Sequence, residues 1–85
     1  MHEMGIASSI LDAVRQEEVR HPGYRATRVG VRIGEFAGVD SESLRFCFEA
    51  IVRNSPMDSL EVGIEPGKGD ELDLSQIEME GVCEL

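Results

Sequence analysis

The sequence predicts an α+β domain: a three-stranded sheet with two helices packed on one face. Three observations carry that expectation. Two stretches repeat their apolar residues at the helical period, and three alternate apolar with polar residues at the period of a strand. Their order along the chain is helix, strand, helix, strand, strand. Eighty-five residues make one small domain, and a sheet with one covered face is the economical way to bury two amphipathic helices.

The first helix rests on Ile6, Ala7, Ile10, Ala13 and Val14, which fall on one side, with Leu11 at the margin. Asp12, Arg15 and Gln16 take the other side, and Glu17 and Glu18 close a segment of about four turns. His21-Pro22-Gly23 then stops it, because proline cannot continue the ladder and glycine permits a reversal. From Tyr24 to Ile33 the period becomes two, with Val29, Val31 and Ile33 against a core and Arg28, Gly30 and Arg32 away from it. Gly34 to Gly38 reads as a loop. Asp40 or Ser41 caps the second helix, whose buried stripe is Leu44, Cys47, Phe48, Ile51 and Val52. Phe46 and Ala50 lie opposite that stripe, either as ordinary exposure or as a contact for another subunit.

The second helix ends at Asn54-Ser55-Pro56. Leu60, Val62 and Ile64 then alternate with Glu61, Gly63 and Glu65 as the second strand. Pro66-Gly67 fits the centre of a type II turn, with glycine supplying the positive φ, and a hairpin partner is expected after it. Leu72 and Leu74 share a face of the third strand. Ile77 and Met79 rejoin that face if a bulge falls near Ser75-Gln76.

Composition excludes several function classes. A net charge of −9 repels a phosphate backbone, so nucleic acid is not the expected partner. Acid in this amount serves solubility, or draws cations or a basic protein patch. No segment reaches the roughly 18 apolar residues of a membrane span, and the start lacks a secretory pattern. The expected compartment is the cytoplasm. Cys47 and Cys83 form no C-x-x-C pair; Cys47 reads as a core residue and Cys83 as an accessible thiol.

No enzyme constellation is present: there is no G-x-S-x-G, no phosphate loop and no H-E-x-x-H. Gly67-Lys68-Gly69 sits where a turn is expected, not between a strand and a helix. His21 reads as a polar residue at a helix C-terminus. What remains is the start, Met1-His2-Glu3. An α-amine, the deprotonated amide of His2 and the His2 imidazole Nδ1 close successive five- and six-membered chelate rings. The Glu3 amide or carboxylate is available as a fourth donor. Planar, nitrogen-rich coordination suits Ni(II) or Cu(II), whereas Zn(II) favours a tetrahedron. Chemistry alone does not separate this from a chance histidine or a tag remnant.

The opening MHEM, the stretch RIGEFAGVDSESLRFCFEAI, the strand LEVGIE and the closing DELDLSQIEME together resemble the HypA/HybF family of hydrogenase nickel incorporation proteins. The resemblance covers residues 1–65 and 70–80. It implies a nickel metallochaperone, not an enzyme, that carries Ni(II) on Met1, His2 and Glu3 during maturation of nickel–iron hydrogenase. It implies a HypB-like GTPase as accessory partner and the hydrogenase large subunit as the end of the route; some members serve urease. One departure is large. The family inserts a zinc domain with two C-x-x-C pairs before its last strand, and this sequence has Pro66-Gly67-Lys68-Gly69 there. The expectation is therefore a single nickel-binding domain over residues 1–85, with residues 66–69 as a turn in place of the zinc domain, removed by deliberate deletion or absent from a natural short paralogue, and no structural zinc. Loss of that domain also allows a homodimer or a strand-swapped dimer. The second functional reading is an interaction module, using the second helix and an open sheet edge, with incidental metal binding.

Overall fold

Between Glu3 and Arg20 the chain has no proline and a single glycine, and in the computed structural model, which describes residues 3–82, this stretch is helix α1 (Glu3–Arg20). Ala7, Leu11 and Val14 are fully buried at the i, i+4, i+7 spacing of one helix face, with Ile6 and Ile10 packed beside them. Leu11, expected at the margin, is therefore central, because α1 packs against the second helix as well as the sheet. The helix also runs past Glu18 to Arg20. Pro22 disfavours helical backbone at His21, the His21 N–H closes a last tight turn on the Glu18 carbonyl at 3.2 Å, and Gly23 reverses the chain at φ +86°.

Strand β1 (Tyr24–Gly34) follows and is central, in the sheet order β2-β1-β3. Ala26, Val29 and Val31 are buried on it. Ala26 and Val29 are an odd number of residues apart and share a face because the pairing skips Thr27, where β1 bulges against β3. The Ala26 N–H donates to the Glu18 carboxylate at 2.9 Å.

Asp40 is the N-cap of helix α2 (Ser41–Val52); its side chain accepts from the Glu42 N–H. Leu44, Phe48 and Val52 are buried, Cys47 and Ile51 half-buried, as the periodicity requires. Phe46 and Ala50 lie exposed on the outer side. Arg53 ends the helix, and Asn54 takes φ +62°.

Strand β2 (Glu61–Gly67) runs parallel to β1, and β3 (Leu72–Gly81) runs antiparallel to it on the other side. The expected β2–β3 hairpin is thus not formed. Pro66 and Gly67 continue β2, paired with Ile33 and Gly34, and the positive φ falls on Gly69 instead of Gly67. The physical reason lies in β1. It carries the fully buried valines and needs a strand on each side, which a tight hairpin between β2 and β3 would deny it. The link from Lys68 to Glu71 therefore crosses the end of β1, where Gly34 N–H donates to the Glu71 carbonyl and Phe36 N–H to that of Gly69, both at 2.8 Å. On β3 the pairing steps from Gln76 to Leu74, leaving Ser75 as the extra residue. This is the bulge that the apolar spacing required. It sets Leu72, Leu74, Ile77 and Met79 opposite Ile33, Val31, Val29 and Ala26. No helix among the described residues is long and apolar enough to cross a membrane.

Candidate metal centre

Of the three residues singled out at the chain start, Met1 and His2 lie outside the described residues, and Glu3 is the first residue of α1. Its position is set by the other helix. Glu3 Oε2 accepts the backbone N–H of Asp40 at 3.3 Å, a contact across 37 residues. Asp40 is itself fully engaged: Oδ1 accepts from Glu42 N–H at 3.2 Å, Oδ2 from the Ser43 hydroxyl at 2.8 Å, and its carbonyl from Leu44 N–H at 2.9 Å. The start of α1 is thereby fastened to the start of α2.

Two helix N-termini meet at this corner. Each presents N–H groups without an intrahelical acceptor and a partial positive charge. The Glu3 and Asp40 carboxylates meet that charge, which is why acidic residues suit both positions. For a metal the consequence is specific. A bare dication is opposed by both helix ends, whereas one bound to a deprotonated amide and a carboxylate brings no net charge to the corner. The amide of Glu3, in the first turn of α1, is one of the donors that the helix does not use.

Elsewhere the structure offers no competing centre: among the described residues no group of three or more His, Cys, Asp or Glu side chains is placed to hold a metal. His21 is exposed, with Nδ1 2.9 Å from the Glu17 carbonyl, as befits a helix end. Cys47 is a half-buried free thiol packed against the core, and Cys83 lies outside the described residues. Lys68 and Gly69 belong to the crossing link, where the Lys68 N–H donates to the Glu71 carboxylate. A groove of about 340 Å³ between α2 and β2 is lined by Arg45, Phe48, Glu49, Leu60 and Glu61, but Arg45 Nη1 is spent on the Val62 carbonyl at 2.8 Å. No nucleophile–base pair stands in it. Sequence periodicity identified Asp40 only as a cap. Its role in fastening Glu3 joins positions too far apart for any local pattern to signal.

Comparison with known proteins bears on the family and the fold. The family model described as hydrogenase/urease nickel incorporation, metallochaperone, hypA matches residues 1–84. Relatives named hydrogenase maturation factor HypA include one from Chlorobaculum parvum, 42% identical over 65 residues, covering 76% of this chain and 58% of that protein. Another, from Chlorobium phaeobacteroides, is 38% identical over 84 residues, covering 99% of this chain and 66% of that protein. The chain thus spans less than two thirds of the length of these relatives. The solution structure of the Ni metallochaperone HypA from Helicobacter pylori superposes with a TM-score of 0.75 at 16% identity, covering 99% of this chain and all of that one, a likeness of fold.

Proposed function

This chain belongs to the HypA family, and on that premise we propose that it is a nickel-carrying domain that holds Ni(II) at Met1, His2 and Glu3 for the maturation of nickel–iron hydrogenase. The observation that carries the reading is the fastening of Glu3 to Asp40. It fixes the point from which the chain start emerges and leaves Oε1 of the Glu3 carboxylate for the metal. The Met1 amine and the His2 Nδ1 both stand cis to the His2 amide, so the fourth place in the plane lies opposite that amide. The Glu3 amide, which closes a five-membered ring with the His2 amide, cannot reach it, and the Glu3 carboxylate is the fourth donor. Three nitrogens and an oxygen in a plane select Ni(II) or Cu(II) over Zn(II).

The task is capture and release, not catalysis. A terminal chelate suits it, since a carrier that enclosed its ion would not give it up. The route runs through a HypB-like GTPase to the hydrogenase large subunit, in the cytoplasm. The crossing link at Lys68–Glu71 joins the last two strands. We read residues 66–69 as the closure of a deliberate deletion of the family's zinc domain, in preference to a natural short form, so that no structural zinc is held. A strand-swapped or simple homodimer is compatible with that loss, and a solution mass decides it.

Nickel titration followed by absorbance tests the site. Stoichiometric uptake is expected, lost in His2→Ala and lost when residues are added before Met1, which turns the amine into an amide. Undiminished uptake in either variant refutes the site. If the unaltered chain takes up no nickel, the interaction-module reading stands in its place.

A further inference from the structure

Among the described residues, the third strand leaves one edge of the sheet open. β3 is terminal in the order β2-β1-β3, and the helices pack chiefly on each other and on β1 and β2. Ile77 and Met79 on its core side are only half-buried. Beyond the Ser75 bulge β3 itself carries no further extra residue from Gln76 to Gly81; the second irregularity, at Thr27 opposite the step from Glu78 to Met79, lies on β1.

The other face carries a register of charge. Arg28 on β1 stands opposite Glu61 on β2 and Glu78 on β3; Arg32 stands opposite Glu65 and Asp73, and Arg25 opposite Glu80. The arginines lean toward β2. A Cβ on Gly63 would lie 3.2 Å from Arg28 Nη2, and one on Gly67 would lie 2.6 Å from Arg32 Cγ, so these two glycines leave the room that the arginines fill. Arg32 pairs with Glu65 at 3.4 Å, whereas Arg28 reaches Glu78 only at 3.9 Å, and no ion pair among the described residues engages Asp73 or Glu80. Rows of charge across the sheet thus read acid, arginine, acid, and on β3 Asp73 and Glu80 are left without an arginine while Glu78 has only the long contact to Arg28.

We propose that the open edge of β3 receives an extended segment of a partner protein in which basic residues alternate with apolar ones, adding a fourth strand to the sheet. Its lysines or arginines would stand opposite Glu78 and Glu80, and its apolar residues would extend the layer of Ile77 and Met79. The β2 edge is closed to the same use. Arg45 already occupies the Val62 carbonyl, and Pro66 has no N–H to give. A second copy of this chain is the wrong occupant, because β3 against either edge strand of another copy sets carboxylate against carboxylate.

The test is a backbone-amide NMR titration of the whole chain with two synthetic peptides, one alternating lysine with valine and one alternating glutamate with valine. The lysine peptide is expected to shift and protect the amides of Gln76–Gly81 and to bind about tenfold or more tightly than the glutamate peptide, the gap closing at high salt. Glu78→Lys with Glu80→Lys is expected to reverse the preference. A lysine peptide N-methylated along one edge keeps its charge, loses its strand hydrogen bonds and is expected to bind poorly. Equal binding of the methylated peptide overturns the proposal in favour of plain charge attraction. So do shifts centred on the α2–β2 groove, or protection of β3 that grows with protein concentration alone, which would make the occupant a second copy.

Discussion

Replacing Gly34 with alanine tests how the third strand reaches its place. Gly34 does not have a positive φ, so its backbone is open to alanine, and the substitution alone would stabilise by roughly 0.4–1 kcal/mol through the unfolded chain. The crossing link reverses that sign. The added Cβ would lie 2.2 Å from the Gly69 carbonyl oxygen and 2.8 Å from that of Lys68, both backbone atoms, where real contacts stop near 3.0 Å. The link must retreat by about 0.8 Å, which stretches the 2.8 Å bonds from Gly34 to Glu71 and from Phe36 to Gly69 beyond useful range. Two lost bonds cost about 2 kcal/mol, and crowding adds roughly 1–3. After the unfolded-state gain the net loss is about 3 kcal/mol, a large part of the roughly 8 kcal/mol expected of a domain this size. Urea unfolding followed by circular dichroism measures it. A loss under about 1 kcal/mol, or any gain, refutes the crossing geometry.

Gly5→Ala provides the opposite case: nothing lies within 4 Å of its Cβ and it sits in a helix, so about 0.5–1 kcal/mol of added stability is expected in the same assay. Asp40→Ala removes the N-cap of α2 and is expected to cost about 1 kcal/mol, yet it keeps the backbone N–H that Glu3 accepts; nickel uptake should therefore persist. Glu3→Gln keeps the backbone amide but removes the carboxylate donor and is expected to weaken nickel uptake, whereas unchanged binding would exclude the carboxylate as the fourth ligand. Phe48→Ala empties the largest fully buried side chain and is expected to cost about 3–5 kcal/mol by urea unfolding; a cost below 2 would show that α2 does not pack as described.

Periodicity was enough for the elements. Ala7–Val14, Val29–Val31 and Leu44–Val52 announce their buried faces because each helix or strand repeats against a single core. The Ser75 bulge was legible too, since two apolar pairs out of phase on one strand need an extra residue to share a face. Sheet order was not. A proline followed by glycine between two strands fits a hairpin locally, and only the demand of β1 for partners on both sides sends the chain across Gly34 instead. Leu11 was misplaced for a related reason: a helix that packs on two neighbours turns its centre toward the corner between them, which a one-face pattern does not encode. At the chain start, the chelating order of Met1, His2 and Glu3 is a property of the covalent chain and readable as such. The clamp from Asp40 arises from tertiary packing and has no local trace.

The account stands most directly on where nickel goes. Backbone-amide NMR across a titration with Ni(II) reports it, because a planar nickel complex is diamagnetic and leaves signals sharp. The prediction is disappearance of the His2 N–H signal as that amide gives up its proton, shifts at Glu3 and Asp40, and an otherwise unchanged spectrum, all complete at stoichiometric metal. Retention of the His2 N–H signal, with shifts or broadening centred on His21 or Cys47, would contradict it.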